Sequence, residues 1–205
     1  VHSELLRRPG KLYVLASHFH PDHFNKEVLQ WREQRPDIIY IFSKDILRHR
    51  RAQKEDAVWL KKGEEYKDET LSVRAFGSTD VGVSFLLQAS GKKIFHAGDL
   101  NNWHWMDEST EAEWKGAEKN FLHELDDLYA YTPEVDVAMF PVDPRLGKEY
   151  MRGAGQFVTK IKTHIFVPMH FTPEYAKANA FRDFAEAHGV RFVSLTHRGQ
   201  KIEIE

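Results

Sequence analysis

The 205-residue chain contains no cysteine. This absence excludes disulfide bonds, thiol catalysis and any zinc site with sulfur ligands, and it predicts a reducing compartment such as the cytoplasm. The chain also lacks a long apolar run and a recognisable signal peptide, so we expect neither a membrane span nor a membrane partner. Because the chain begins at Val1 rather than Met, the sequence leaves open whether a leader segment has been removed.

No charge of one sign dominates the composition. The 29 Lys and Arg residues nearly balance the 31 Asp and Glu residues, which leaves a net charge of −2. Because the chain carries no excess of positive charge, we do not expect it to bind long nucleic acids, and a small-molecule substrate is favoured. The length predicts one domain over residues 1–205, and the sequence leaves the oligomeric state open.

Short apolar segments alternate with longer helical segments, except between residues 57 and 95, where the pattern predicts hairpins with a tight turn at Ser90-Gly91. The predicted strands cover 11–17, 38–42, 71–76, 81–87, 92–95, 135–140, 164–168, 191–195 and 201–204. The predicted helices cover 25–33, 43–52, 110–128, 149–161 and 173–188. Two sheets covered by helices would pack this order economically. We therefore expect a mixed α/β (α+β) fold, a four-layer αββα sandwich.

Histidine is abundant, with twelve residues, and three of them cluster directly after the first predicted strand. The segment His18-Phe19-His20-Pro21-Asp22-His23 places three imidazoles and a carboxylate within six positions. These are the ligand types that suit zinc and neighbouring divalent metals. Residues two apart in extended backbone point to the same side, so His18 and His20 can bind one ion. The alternative is a surface loop that is merely rich in histidine.

Two further segments deliver a ligand-type residue at the end of an apolar strand. Asp99 follows the strand that ends near His96, and Gly98 before it allows a close backbone approach. His170 follows the predicted strand 164–168 in the same way. Either residue alone would more often be structural. Together with the histidine cluster they indicate a metal site, because such a site needs ligands from several distant strands.

These three segments together resemble the metallo-β-lactamase-fold hydrolase superfamily, and within it the branch of the ascorbate-phosphate lactonases and related metal-dependent hydrolases. The resemblance covers nearly the whole chain. It implies one or two zinc ions as cofactor, with manganese or iron as alternatives. Carried over by position, the implied ligands are His18 and His20 for the first metal, Asp22, His23 and His170 for the second, and Asp99 as the bridge.

The chain departs from the family pattern at two places. The family normally has another histidine ligand of the first metal before the Gly98-Asp99 step, where this chain has Ser78-Thr79-Asp80. Asp80 or His96 could substitute for it, and a site that lacks one imidazole should bind metal more weakly. The family also has one or two β-hairpins before the motif. Only about seventeen residues stand there, so one sheet should lack strands and expose an edge.

The resemblance implies a hydrolase of a small ester, lactone or phosphoester. A divalent ion lowers the pKa of bound water to about 7 and polarises a carbonyl or phosphoryl oxygen. Asp22 and Asp99 are the expected catalytic residues, since Asp22 would orient the water and accept its proton while Asp99 holds the two ions together.

Three residues near these ligands are candidates for substrate binding: Trp103, His104 and Arg145. Trp103, His104 and Trp105 could stack on a ring or acyl group, although the two tryptophans could instead anchor the following helix to the core. Arg145 could bind a substrate carboxylate or phosphate, or Asp143 could neutralise it in a structural pair.

Several other functions stay open. A phosphodiesterase or nuclease of the same superfamily is a rival, as is a non-enzymatic metal- or ligand-binding protein with an eroded first metal site. A di-iron protein that handles oxygen is a further alternative. β-Lactam hydrolysis is disfavoured, because fold does not fix function and one histidine is missing.

Overall fold

The computed structural model describes residues 2–204, which contain a small parallel sheet and a large mixed one. The small sheet has three strands in the order β1-β2-β3: β1 (Tyr13–Ala16), β2 (Ile39–Ser43) and β3 (Val58–Leu60). Each strand pairs in parallel with the next one. The prediction that the hairpin pattern begins at residue 57 is therefore wrong for β3, which reaches its parallel partner through the intervening helical turns.

The large sheet has seven strands in the order β10-β9-β8-β7-β6-β5-β4. Their bounds are β4 (Glu65–Lys67), β5 (Ser72–Phe76), β6 (Ser84–Ala89), β7 (Lys92–His96), β8 (Glu134–Pro141), β9 (Lys162–Met169) and β10 (Arg191–Phe192). Strands β4 to β7 are antiparallel hairpins, and β7 to β10 are parallel neighbours. The predicted turn joins β6 to β7, with positive φ at both Ser90 and Gly91, as a two-residue hairpin loop requires.

Residues 2–204 contain six α-helices and three 3-10 helices, of which all but the first α-helix lie between strands. The α-helices are α1 (His2–Leu6), α2 (Lys44–Arg48), α3 (Glu111–Tyr131), α4 (Arg152–Lys160), α5 (Tyr175–Asn179) and α6 (Arg182–Ala187). The 3-10 helices are Lys26–Glu33, Lys54–Asp56 and Pro144–Glu149. Within residues 2–204, no helix combines the length and the apolar character that a membrane span needs.

Three apolar clusters separate four layers and confirm the predicted αββα sandwich. Phe121 of α3 and Phe157 of α4 are fully buried against the outer face of the large sheet. On the other side of the molecule, Ile46 of α2 packs against the small sheet. Ile41 of β2 and Val73 of β5 meet between the two sheets. Burial of these faces supplies the main stabilisation of the fold.

The small sheet covers only part of the inner face of the large one. In the described part of the chain, β1 is an edge strand of the small sheet. Beyond the small sheet, Val137 of β8 and Ile165 of β9 are buried by Leu195 and Ile202 instead. The predicted strand over 201–204 is therefore wrong, because this segment packs on the sheet face without pairing to a strand.

Other helix predictions differ from the structure in detail. The segment predicted as a helix over 25–33 is a 3-10 helix, and the helix predicted over 43–52 ends at Arg48. The helix predicted over 149–161 starts only at Arg152. The helix predicted over 173–188 is divided into α5 and α6, and the break places Phe181 in the core, 5.0 Å from the ring of Phe166. Tertiary packing decides these boundaries.

Candidate metal centre

The candidate site lies where several strands end at one edge of the molecule. Strands β7, β8 and β9 are parallel neighbours, so the residues that follow them emerge at the same edge of the sheet. The end of β1 joins this edge through a hydrogen bond from Val83 N to Ser17 O at 3.0 Å. Gly98 has a φ of +55°, and a Cβ there would lie 2.9 Å from Ser17 Cβ. Glycine therefore allows the close approach that the sequence predicts.

His18, His20 and Asp99 form a first group of ligand-type side chains, here called the first triad. One potential ligand atom of each residue lies within 4.8 Å of the other two. The Oγ of Ser17 lies 3.0 Å from Nδ1 of the buried His18. This contact leaves Nε2 of His18 facing Oδ2 of Asp99 at 3.2 Å.

Asp22, His23 and His170 form the second triad, again with ligand atoms within 4.8 Å of one another. The other carboxylate oxygen of Asp99, Oδ1, faces this group. It lies 3.1 Å from Nε2 of His23 and 3.3 Å from Nε2 of His170. Asp99 therefore directs Oδ2 to His18 of the first triad and Oδ1 to the histidines of the second.

Two buried polar atoms between the triads lack an ordinary partner. Among residues 2–204, Nε2 of His18 and Oδ1 of Asp99 make no hydrogen bond of ordinary geometry, although opposing ligand-type atoms of the site lie 3.1–3.3 Å away. Leaving a buried polar atom without a partner costs about 1–3 kcal/mol, so such atoms call for a ligand. Burial alone would raise the pKa of Asp99, but its contacts with His170, His18 and His23 hold that pKa far below the usual range. The carboxylate is thus ionised and suited to a cation.

His170 is oriented from behind by a carboxylate that follows β8. Its Nδ1 lies 2.9 Å from Oδ2 of Asp143, a residue that is only 1% exposed. Burial lowers the pKa of His170, but Asp143 and Asp99 outweigh burial and raise the pKa to about 9. Without a metal, His170 is therefore protonated more readily than a free imidazole, and a cation would compete with that proton. A carboxylate behind a metal-ligating histidine is the usual way to fix its ring orientation.

The sequence profile of the beta-lactamase superfamily domain matches residues 4–171. The chain belongs to this superfamily. This confirms the family that the motifs resemble, and the mixed α/β sandwich agrees with it. No curated protein matches the chain.

Solved structures of low sequence identity share the superfamily fold. Igni18, a metallo hydrolase from Ignicoccus hospitalis, superposes with a TM-score of 0.61 at 16% identity, over 90% of this chain and 76% of that one. A protein named as a metal-dependent hydrolase from Parabacteroides distasonis gives 0.59 at 16% identity, over 92% and 78%. CmlA, a diiron β-hydroxylase from Streptomyces venezuelae, gives 0.58 at 14% identity, over 92% of this chain but only 44% of CmlA.

A cavity of about 290 Å³ opens beside Asp99 and His170, and both candidate tryptophans line it. Trp103 donates a hydrogen bond from Nε1 to Asp99 O at 2.8 Å, and its ring lies 5.4 Å from that of His170. Trp105 stacks parallel to Trp103 at 6.4 Å. Trp103 thus fixes the loop that carries Asp99 and forms a wall of the cavity, while its contact with a substrate stays a prediction.

Arg145 and Asp143 form the pair that the sequence analysis considered as the structural alternative. The guanidinium contacts both carboxylate oxygens, with Nε at 3.0 Å from each and one terminal nitrogen 2.6 Å from Oδ2. Arg145 nevertheless lines the cavity beside Asp99 and a second cavity of about 200 Å³ beside Asp22. The pair therefore holds a guanidinium at the mouth of the site in a defined orientation.

His104 does not reach the cavity, so its predicted contact with substrate is wrong. The residue is 1% exposed. Its Nδ1 accepts a hydrogen bond from Met106 N at 3.1 Å, and its Nε2 lies 3.1 Å from the carbonyl of Glu149. Because both ring nitrogens contact backbone groups, His104 connects the loop after Asp99 to the end of the 3-10 helix Pro144–Glu149.

The two substitute ligands stand outside both triads. Nδ1 of His96 accepts a hydrogen bond from Gly98 N at 3.1 Å, and burial lowers the pKa of His96 to about 4. The ring is therefore neutral with its proton on Nε2, which leaves no free lone pair for a metal. Asp80 approaches the first triad, with its Oδ2 3.8 Å from Nδ1 of His20.

Sequence reasoning missed the residues that hold the ligands in place. Asp143 was considered only as a partner of Arg145, although its position directly after β8 is a signal shared with Asp99. Asp45, in the first turn of α2, accepts a hydrogen bond from Phe19 N at 3.0 Å and so fixes the loop between His18 and His20. No local pattern marks Asp45, since an acidic residue there also suits the helix N-terminus.

Proposed function

We propose that the chain is a metal-dependent hydrolase that acts on a small ester, lactone or phosphoester, with zinc as the favoured metal. The observation that carries this proposal is the placement of Asp99 between the two triads, with one oxygen towards each. A cavity open to solvent lies beside it. Assignment of the six residues to metal binding stays a prediction.

The residues present fit divalent cations. Each triad offers two imidazoles and one carboxylate, the donor set of several catalytic zinc sites, in which one position remains for water or substrate. A cation bound there would lower the pKa of water to about 7 and polarise the substrate oxygen. The buried Nε2 of His18 and Oδ1 of Asp99, which make no hydrogen bond of ordinary geometry, support this fit.

The protein side chains have separate tasks around that chemistry. Asp22, with its side chain 68% exposed, lies at the second cavity, where it can accept a proton from water. Asp143 keeps the ring of His170 in one orientation. Trp103 and Trp105 form an apolar wall beside the reacting position, and Arg145 offers a positive charge to a substrate oxygen.

The dimensions of the site favour small substrates. The cavities of about 290 and 200 Å³ lie at the lower end of the range for small-molecule sites, or below it. The net charge of −2 argues against long nucleic acids as partners. A cytoplasmic location remains a prediction from the cysteine-free composition.

The test is hydrolysis of a panel of chromogenic esters, lactones, phosphomonoesters and phosphodiesters by the purified chain. We expect turnover that a chelator abolishes and that added Zn²⁺ or Mn²⁺ restores. Asp22→Ala at verified metal content should lower turnover at least about 100-fold, the usual contribution of a proton acceptor. Asp126→Asn, which changes an exposed carboxylate on α3, is the matched control.

Two results would contradict the proposal. Metal-loaded protein that turns over no member of the panel would favour the non-enzymatic binding protein. Undiminished turnover by metal-loaded Asp22→Ala would remove Asp22 from the reaction.

A di-iron protein that handles oxygen is the second candidate. Two imidazoles and one carboxylate also form the facial triad of non-haem iron(II) oxygenases, and both triads have this composition. The similarity of fold to the diiron enzyme CmlA is compatible with it. Protein reconstituted with iron(II) under argon and then exposed to air with excess ascorbate as reductant would distinguish the two. Only this candidate predicts oxygen consumption that exceeds both the single oxidation of the bound iron and the rate of the same iron without protein.

A further inference from the structure

The loop of residues 77–82 is tied to both segments that carry the first triad. Asn101 N donates a hydrogen bond to Thr79 Oγ1 at 2.9 Å, which fixes the loop to the chain after Asp99. At the other end, Gly82 has a φ of +76° and packs so tightly that a Cβ would lie 2.0 Å from Ser17 O. The loop is thus held between the segments of Asp99 and His18.

Asp80 lies in the middle of this loop and faces the first triad. Its Oδ2 is 3.8 Å from Nδ1 of His20, and its side chain lines the cavity beside Asp99. The side chain is 48% exposed, so packing does not oppose its rotation.

Other donors near this position are already engaged. Thr79 Oγ1 is bonded to the backbone of Asn101, and Nδ1 of His96 to Gly98 N. Ser78 Oγ accepts a hydrogen bond from Asp80 N at 3.4 Å. Asp80 is therefore the side chain of this loop that is both anionic and directed towards His20.

We propose that Asp80 is an additional ligand of the first metal site, beside His18, His20 and Asp99. The proposal rests on the metal centre of the proposed function but does not require hydrolysis. Two donors on one tetrahedral zinc at 2.0–2.2 Å are about 3.3 Å apart. His18 Nε2 and Asp99 Oδ2 already meet this spacing at 3.2 Å. The 3.8 Å between Asp80 and His20 exceeds it by about 0.5 Å, which a side-chain rotation can close.

A carboxylate in place of an imidazole changes which metal the site prefers. It adds a negative charge and exchanges a nitrogen donor for oxygen. Oxygen donors suit Mn²⁺, whereas imidazole suits Zn²⁺. The first site should therefore bind Mn²⁺ more favourably, relative to Zn²⁺, than a site with a third imidazole.

The test compares Asp80→Asn and Asp80→His with the wild type and with the control Asp126→Asn. The readouts are metal per chain by mass spectrometry of the metals, and dissociation constants from chelator competition with Zn²⁺ or Mn²⁺ alone. Wild type should bind two cations. Asp80→Asn should weaken one of them at least about tenfold, since even residues behind the ligands contribute 10–100-fold. Asp80→His should keep two cations and raise the ratio of bound Zn²⁺ to bound Mn²⁺.

The inference is overturned if Asp80→Asn binds two cations with wild-type affinity, or if Asp80→His leaves the metal ratio unchanged. Circular dichroism of each variant checks the fold. If Asp80→Asn loses a cation while wild type hydrolyses nothing, the proposed function alone fails. If wild type hydrolyses the panel while Asp80→Asn binds as wild type does, this inference alone fails.

Discussion

Removal of the Asp143 carboxylate should weaken the second metal site although Asp143 belongs to neither triad. The residue is 1% exposed, and its Oδ2 lies 2.9 Å from Nδ1 of His170. Asp143→Ala leaves the imidazole without the partner that sets its orientation and its protonated nitrogen. His170 also has a φ of +63°, an unfavourable conformation for a residue other than glycine, so its position depends on such contacts.

The expected magnitude follows from this single contact. Loss of the partner behind a histidine ligand typically costs 10–100-fold in metal affinity, about 1.4–2.7 kcal/mol. Only the second triad contains His170, so the first site should keep its affinity within about threefold. Asp143→Asn, which retains an oxygen acceptor, should fall between wild type and Asp143→Ala. Arg145→Gln is the comparison for the lost ion pair: it keeps the contact between Asp143 and His170, and it removes only the longer contact, at 3.3 Å, between a guanidinium nitrogen of Arg145 and Nδ1 of His170.

Chelator competition, read as two dissociation constants per chain, measures this effect. The reasoning is refuted if Asp143→Ala binds both cations as tightly as wild type does. It is equally refuted if Arg145→Gln weakens the second site as much as Asp143→Ala, since the ion pair rather than the contact with His170 would then be responsible.

Two predictions concern the scaffold around the site. Gly82→Ala should destabilise the protein by more than the roughly 1–3 kcal/mol of a positive φ alone, since its Cβ would meet Ser17 O. Gly91→Ala, at a φ of +74° with nothing within 4 Å, is the control in thermal unfolding, and equal losses would contradict the clash. Burial alone would raise the pKa of Asp68, but hydrogen bonds from Tyr13 and from backbone groups hold it well below its usual range. The ionised carboxylate therefore stabilises the fold fully above the pKa that Asp68 has in the unfolded chain, and this stabilisation is lost in acid. In denaturant titrations, Asp68→Asn should have a lower free energy of unfolding than wild type at pH 7, and the difference should shrink below about pH 4. A difference that does not change with pH would contradict this.

Much of the fold could be predicted because apolar periodicity is a local property. The strands that deliver Asp99 and His170 were predicted within a few residues, and so was the turn at Ser90-Gly91. Boundaries were less predictable. The helix predicted over 173–188 breaks where Phe181 enters the core, and the segment over 201–204 covers a sheet face instead of pairing. Both depend on surfaces that are distant in the sequence.

The candidate site likewise has features that the sequence predicts and features that it does not. The residue types and strand-end positions of the two triads could be predicted from the sequence, since donor chemistry and apolar strand segments are local features. The orientation of individual side chains was not. His104 and Trp103 are neighbours in the sequence, yet one is buried against the backbone and the other forms the cavity wall.

The sequence by itself determined which residues could bind a metal and which strand ends carry them, because donor chemistry and alternation belong to short segments. Only the tertiary structure decided that Asp99 faces both triads, that Asp143 supports His170, and that Asp80 approaches His20. These contacts join residues between 27 and 81 positions apart, and sheet register and close packing set their distances.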